Sequence, residues 1–282
     1  LDGAPVYNPS HFFGIFSVFN PDGLKSVDLY KGNMPASFGG RAASLIDVSL
    51  REGNNQQIHG EGGIGSISSR LTLDGPLFGD KSTFIVSARR TYADVFLRLS
   101  SDENLKNNQL NFHDLSGKLA FILNDKDKIT ISSYQGSDFL GLDEEFGLGW
   151  TNWVSSANWS RVHSEKFFFD LEGYHSRYSY SVEFDDPDNG FEWTNKLSET
   201  GLKAIWTALP NSKTQLNWGI HSQYYHFAPI DLKPAPNSAI ESIVTNPKNG
   251  LLNNLFISAN YEISPKLSAE GGLRWGLFNQ VG

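Results

Sequence analysis

The second half of the chain shows a two-residue alternation of apolar and polar positions. In residues 215–220, Leu, Trp and Ile alternate with Gln, Asn and Gly. The same pattern recurs in residues 254–263 and, less regularly, in residues 267–275. Such alternation predicts β-strands with one apolar and one polar face, and no stretch after Ile58 follows a helical period for more than a turn or two. The pattern therefore predicts an all-β architecture.

Turns of two lengths separate the predicted strands and alternate along the chain. The short turns are residues 78–81, 124–127, 164–165, 210–212 and 264–265, and the long ones are 100–111, 138–149, 185–191 and 230–250. Tight turns at one end and longer loops at the other are typical of antiparallel transmembrane β-barrels. A soluble β-sandwich has similar strands, but its Greek-key crossings do not follow this rhythm. The turns therefore favour a barrel whose apolar face contacts lipid.

The first fifth of the chain has a different organisation. One short strand is predicted around residues 27–30, and a second at residues 46–51, where apolar and polar residues alternate. Gly39 and Gly40 supply a turn between these two strands. The short polar stretch 53–57 is the predicted domain boundary. The two expected units are residues 1–53 and residues 58–282.

Short motifs in the first third of the chain resemble TonB-dependent outer-membrane receptors. Four of them are similar to the C-terminal half of that family's plug domain: DGAPV at 2–6, YKG at 30–32, FGGR at 38–41 and a final strand at 45–51. Two more are similar to the first barrel strands of the family's carbohydrate- and peptide-importing branch: LDGPL at 73–77 and FIVSARRTY at 84–92. The remainder of the chain resembles the family by its strand and turn pattern only.

The resemblance implies a fold, a function and partners. The chain is expected to hold the C-terminal part of a plug, residues 1–53, as a small α+β remnant. Residues 58–282 are expected to form the N-terminal part of an antiparallel transmembrane β-barrel, about eleven strands of some twenty-two. The implied function is energised uptake of a scarce nutrient across the outer membrane of a Gram-negative cell, without enzymatic activity. A siderophore, a glycan, a peptide and a vitamin all remain open as the nutrient.

Three kinds of partner follow from the same resemblance. They are a small nutrient ligand, outer-membrane lipid and a TonB-type periplasmic energy-coupling protein. The segment that contacts the coupling protein is not expected within this chain. Met34 is the only methionine, and the first residues do not have the pattern of a signal peptide. We therefore expect a fragment that starts within one domain and stops within or just past a strand.

Composition is compatible with a barrel and excludes some other classes of protein. The chain is 13% aromatic, with 7 Trp, 10 Tyr and 20 Phe, which fits the aromatic girdles of a barrel. A formal net charge of -8 without a basic stripe argues against a nucleic-acid partner. The absence of cysteine excludes disulfides and thiolate metal sites. A mean hydropathy of -0.34 is typical of soluble proteins, yet only alternate strand residues of a barrel need be apolar.

Candidate ligand contacts lie in two predicted loops, one in the plug and one in the barrel. The candidates are Tyr7, Asn8 and His11 in the first loop and Asp143, Glu144 and Trp150 in the second. The first group offers a ring, an amide and an imidazole, which suit hydroxyl- or carbonyl-rich ligands. The second group lies in a long loop placed to close over the ligand from the rim. Ordinary loop packing is the competing interpretation for the first group.

The resemblance singles out one charged residue, Arg41. It is similar to the plug arginine that the family pairs with carboxylates on the inner barrel wall, and Glu172 and Glu270 are the candidate partners here. A charge inside a plugged lumen must be paired or hydrated. A solvent-exposed loop arginine is the alternative.

The sequence contains no catalytic or metal-binding motif. The seven histidines are dispersed and no HExxH is present, so no zinc site is expected. Residues 185–190 are rich in Asp and Asn but lack the closing glutamate of a calcium loop. No catalytic residue, metal or cofactor is predicted. Two other functions remain open: a binding-only outer-membrane protein such as an adhesin, and a soluble all-β carbohydrate-active enzyme.

The direction of the first barrel strand predicts an additional turn. The plug lies on the periplasmic side, so the first strand must run outward, yet the short turn at residues 79–81 must also be periplasmic. One strand cannot satisfy both conditions, so a tight outer turn is expected near residues 63–66, with residues 58–63 paired to residues 68–77. About eleven strands cannot enclose a plug, so the sheet should be open at both edges. Indole rings favour a membrane interface, so the strand tryptophans should face outward. They are Trp153, Trp159, Trp206, Trp218 and Trp275.

Overall fold

Two small sheets occupy the start of the chain. The computed structural model describes residues 1–32, 34–40, 44–102, 106–143 and 145–281. The four strands of the small sheets are β1 (Ser10–His11), β2 (Phe16–Ser17), β3 (Leu24–Lys31) and β4 (Ser44–Leu50). β1 pairs antiparallel with β2, and β3 with β4. The only helical turns described in residues 1–40 are the three-residue 3-10 turns Phe12–Gly14 and Pro21–Gly23.

One large antiparallel sheet contains the other strands. They are β5 (His59–Ile64), β6 (Ser68–Pro76), β7 (Ser82–Thr91), β8 (Gln109–Ile122), β9 (Asp127–Leu142), β10 (Phe146–Ser164), β11 (Phe167–Phe184), β12 (Phe191–Asn211), β13 (Thr214–Pro234), β14 (Ile243–Val244), β15 (Lys248–Ser264) and β16 (Leu267–Gln280). A 3-10 turn, Gly79–Lys81, precedes β7, and the helix α1 (Ala93–Arg98) follows it. Within the described ranges, none of the helices is long and apolar enough to cross a membrane.

The large sheet has eleven strands in sequence order, with the short β14 attached beside β13. β5 and β16 are its two edges, and each pairs on one side only among the residues described. The predicted strand number and the open sheet are therefore confirmed. The predicted outer hairpin is confirmed as well: β5 pairs with β6 from His59 opposite Asp74 to Ile64 opposite Ser69. The N–H of Gly65 closes this turn by donating to the Ser68 carbonyl at 2.8 Å.

The strands extend further toward the long loops than the sequence predicted. Residues 138–149 were expected to form a loop, but β9 continues to Leu142 and β10 begins at Phe146. Residues 146–150 alternate large apolar residues with glycine, and this alternation continues the strand pairing. β12 and β13 have 21 residues each, whereas about 9 to 11 suffice to cross a bilayer. Several strands therefore project beyond the height of a membrane.

The face of the large sheet that meets residues 1–53 is polar. On β8 to β11, the even-numbered side chains contact this segment. Lys118 Nζ and Ser132 Oγ donate to the Asp2 carboxylate at 3.0 and 2.6 Å. Ser176 Oγ donates to the Pro5 carbonyl. Since residues 1–53 make such contacts from β6 to β16, the sheet must curve around them. A small apolar core lies between the two parts. It includes Leu1, Ala4, Val18, Val48, Leu50, Tyr134, Val154 and Tyr174.

The opposite face is apolar and exposed, as the alternation predicted. Leu273 is 76% exposed and Trp275 is 61% exposed. By register, all five strand tryptophans occupy outward-facing positions. Three of them lie in one row with Phe167 and Phe169, with neighbouring ring centroids 5.2 to 6.1 Å apart. Those three are Trp159, Trp206 and Trp218.

Candidate functional site

The turn between β1 and β2 exposes two large apolar side chains at the rim of the sheet that carries the long loops. Phe12 has φ 47° and Phe13 has φ 58°, both in the left-handed region that bulky residues rarely adopt. Phe13 is 72% exposed and Ile15 is 74% exposed. Backbone strain of this kind is found at ligand-binding sites. We call residues 12–15 the apical turn.

His11 anchors the apical turn to the wall of the large sheet. Its Nδ1 lies 2.6 Å from Asp138 Oδ2 on β9, and its Nε2 lies 3.1 Å from Asp114 Oδ2 on β8. The Phe12 N–H donates to the other Asp138 oxygen at 3.1 Å. The His11 side chain is only 1% exposed. The ring contacts protein groups here, and ligand contact by His11 stays a prediction.

Aromatic and cationic groups complete the surroundings of His11. Its ring stacks on Phe112, with ring centroids 4.0 Å apart and planes 7° from parallel. Arg89 on β7 pairs with Asp114 at 2.8 Å and donates to the Ser17 carbonyl at 2.5 Å. Burial lowers the pKa of His11, but hydrogen bonds and charges from Asp114 and Asp138 outweigh burial and raise the pKa above its ordinary value. The protonated form of the imidazole ring is therefore favoured.

Two of the predicted ligand contacts, Asn8 and Trp150, lie together beneath the apical turn. With its amide oriented to satisfy both groups, Asn8 accepts a hydrogen bond from the Trp150 indole at 2.9 Å. Asn152 Nδ2 donates to the Asn8 carbonyl at 3.0 Å. Trp150 is only 5% exposed, and its ring lies edge-on to Phe13 with centroids 5.2 Å apart. Trp150 is a residue of β10 and not of a loop, so it supports the turn from below.

Tyr7 lies deeper and contacts the wall. Its hydroxyl donates to Glu199 on β12, a side chain that is 1% exposed. The same carboxylate accepts from the Tyr174 hydroxyl at 2.6 Å and from Gln223 Nε2 at 2.7 Å. Three donors therefore satisfy this buried charge, and one of them comes from the N-terminal segment. A cavity of ≈ 380 Å³ adjoins this cluster, and its lining also includes the apolar Val6, Phe19 and Phe38.

The remaining predicted residues are more peripheral or lie outside the described ranges. Asp143 is exposed, has φ 50°, and its N–H donates to Asn108 Oδ1 at 3.1 Å. Arg41 and Glu144 fall outside the described residues, so the predicted ion pair of Arg41 stays a prediction. Its candidate partner Glu172 lies 3.3 Å from Lys203 Nζ.

A second cluster, not found by sequence reasoning, lies where the N-terminal segment joins the large sheet. Arg51 Nη2 lies 3.0 Å from Asp74 Oδ1 and 3.2 Å from Glu61 Oε1. The Asn54 N–H donates to the other Asp74 oxygen at 2.8 Å. Asp74 is 1% exposed, so its charge depends on these partners. An arginine directly after a strand and an inward-facing aspartate on another strand are the sequence signals for such a pair.

The described residues hold no metal-binding group of three or more His, Asp or Glu side chains. The contacts of His11, Tyr7 and Arg51 join the N-terminal segment to the sheet at three heights, and the apical turn is the part that faces outward.

Comparison with solved structures gives the fold. No protein-family model and no curated protein matches the sequence. The ferric preacinetobactin receptor BauA from Acinetobacter baumannii is similar over 93% of this chain and 48% of its own, with a TM-score of 0.65 and 8% identity. The FrpB iron transporter from Neisseria meningitidis is similar over 94% of this chain and 47% of its own, with a TM-score of 0.66 and 14% identity. The copper transporter OprC is similar over 95% of this chain and 44% of its own, with a TM-score of 0.72 and 9% identity.

The resemblance seen in the sequence is therefore confirmed at the level of the fold, which this chain shares with these receptors and transporters. The chain has the fold of part of a plugged β-barrel. It spans about half the length of the solved structures it matches.

Proposed function

We propose that this chain is part of a TonB-dependent outer-membrane receptor that takes up a scarce nutrient and is not an enzyme. Residues 1–53 are the C-terminal part of its plug domain, and residues 58–282 are the N-terminal part of its barrel. The fold shared with transport receptors supports this proposal. So does the apolar outer face of the sheet, which suits lipid in the outer membrane of a Gram-negative cell.

The exposed apical turn is the observation that carries the functional proposal. Most of the N-terminal segment is held against the wall by polar contacts, whereas the Phe13 and Ile15 side chains are more than two-thirds exposed. Large exposed apolar side chains on a strained backbone are costly unless a ligand uses them. Ligand contact is therefore assigned to Phe13 and Ile15, with Asn8 and Trp150 as their support.

The long-loop rim supplies the remaining contacts in this proposal. Asp143 follows the end of β9 at this rim, and ligand contact is assigned to it and to Glu144, the next residue in the sequence. Tyr7 and His11, the other two predicted contacts of this segment, also hold it against the wall. A TonB-type periplasmic coupling protein supplies the energy that moves the plug.

Ligand binding by the full-length receptor in detergent tests this assignment. The probes are ferric citrate, cobalamin, a maltodextrin mixture and a tryptic peptide mixture, one for each open nutrient class. Phe13→Ala is expected to weaken binding of the recognised probe by about tenfold or more, the usual loss for a buried aromatic contact. Phe78→Ala is the matched control, because Phe78 is 77% exposed in a short turn at the opposite rim. Equal affinity in both variants would remove the apical turn from the binding site.

A further inference from the structure

The two ring nitrogens of His11 both face carboxylate oxygens. Nδ1 lies 2.6 Å from Asp138 and Nε2 lies 3.1 Å from Asp114. A neutral imidazole carries a hydrogen on one nitrogen only, so its other nitrogen would direct a lone pair at an acceptor. An imidazolium donates from both nitrogens and satisfies both carboxylates.

The charges around the ring lead to the same protonation state. Asp114 and Asp138 carry two negative charges, and the guanidinium of Arg89, 2.8 Å from Asp114, supplies one positive charge. Both carboxylate side chains are 2% exposed. With a neutral His11 the cluster would hold one uncompensated buried charge, which is strongly unfavourable. A protonated His11 brings the sum to zero.

We propose that protonated His11 holds the apical turn in position, and that loss of its proton releases the turn from the barrel wall. Asp138 holds both the His11 ring and the N–H of Phe12, the first residue of the turn. Once the ring is neutral, one carboxylate loses its hydrogen bond from the ring and the buried cluster carries a net negative charge, which weakens the hold on the strained backbone of the turn. His11 is thus a positioning residue that acts through the exposed side chains after it.

Other ionisable groups surround the His11 ring and its partners. The ring lies against Asp114 on β8 and Asp138 on β9, and Arg89 on β7 contacts Asp114. Tyr134 on β9 and Tyr178 on β11 lie within electrostatic range of Asp138. A phenol ordinarily titrates near pH 10. The imidazole is therefore the group whose charge changes between about pH 5 and pH 8.

Spin labelling of the apical turn in the full-length receptor tests this proposal without any ligand. The 282 residues contain no cysteine, so Ile15→Cys provides a labelling site that is unique among them. The label is expected to be largely immobile at about pH 5, with a mobile fraction that rises about twofold or more by about pH 9 and a midpoint above the ordinary histidine value. Mobility that does not change with pH would overturn the proposal.

Two variants and a control make the test specific. His11→Gln should give a mobile label at every pH, because a neutral amide leaves one buried negative charge of the cluster uncompensated. Asp138→Asn removes one negative charge, so the midpoint should fall to lower pH. His113→Gln, an exposed histidine on the outer face of β8, should behave as the parent protein. A pH response that persists in His11→Gln would show that another group titrates. Electrophoresis with and without heating reports whether each barrel is folded, and if His11→Gln does not fold, the direction of the Asp138→Asn shift decides.

Discussion

The Tyr7–Glu199 hydrogen bond connects the N-terminal segment to β12 and offers a quantitative test of how that segment is held. Tyr7→Phe removes one of three donors to a carboxylate that is 1% exposed, and it leaves the ring in place. A hydrogen bond to a charged group contributes about 1.5–3 kcal/mol. Because Tyr174 and Gln223 still satisfy Glu199, we expect a loss at the lower end, about 1.5 kcal/mol.

Amide hydrogen exchange of residues 1–9 in the full-length receptor measures this loss as local opening. A loss of about 1.5 kcal/mol corresponds to roughly tenfold faster exchange. In a Glu199→Gln background the bond has a neutral acceptor and is about half as strong, so Tyr7→Phe should accelerate exchange only about threefold. Tyr261→Phe, on the exposed outer face, is the control and should leave exchange unchanged. Equal acceleration in both backgrounds would refute a direct bond between Tyr7 and Glu199.

Two further outcomes are expected from the contacts near the junction and the apical turn. Gly53→Ala should reduce the fraction of protein that migrates as a folded barrel when the sample is not heated before electrophoresis. An added Cβ would lie 2.0 Å from the Phe84 carbonyl oxygen, so the chain would have to shift. Gly65→Ala, where the atom nearest to the added Cβ is 3.2 Å away, is the comparison. The folded pKa of His11 is raised, so its stabilising effect is complete below the unfolded value of 6.5 and is lost as pH rises through the folded pKa. Protection of residues 10–17 from hydrogen exchange should therefore fall between about pH 6 and pH 9 in the parent protein and stay level in His11→Gln.

Strand positions and faces were predictable because they depend on local alternation. A period of two places successive side chains on opposite faces, so the apolar outer face followed from the sequence. The β5–β6 hairpin followed instead from the direction in which the first barrel strand must run, and the outward tryptophans from the preference of indole for a membrane interface. The extent of the strands beyond residue 138 was not predictable from loop composition. Residues 146–150 contain two glycines, which resemble a turn, yet Gly147 and Gly149 lie in a paired strand beside Phe139.

The roles of Tyr7 and His11 could not be predicted because they depend on which wall residues face them. His11 and Asp138 are 127 residues apart in sequence, and Tyr7 and Glu199 are 192 apart. Alternation gives the face of a strand but not the height at which a separate segment meets it. One signal was present: Asp114 and Asp138 are charged residues on the face turned toward the lumen, where an unpaired charge is strongly unfavourable.

Uptake by whole cells that carry the full-length receptor tests whether this protein is an energised uptake receptor. Cells with and without the TonB-type coupling protein are supplied with whichever of the four probes the receptor binds, and accumulation is measured. We expect accumulation that requires both the coupling protein and Phe13, while surface binding persists in cells that lack the coupling protein. Equal accumulation with and without the coupling protein, or binding without any accumulation in cells that have it, would contradict an energised uptake receptor.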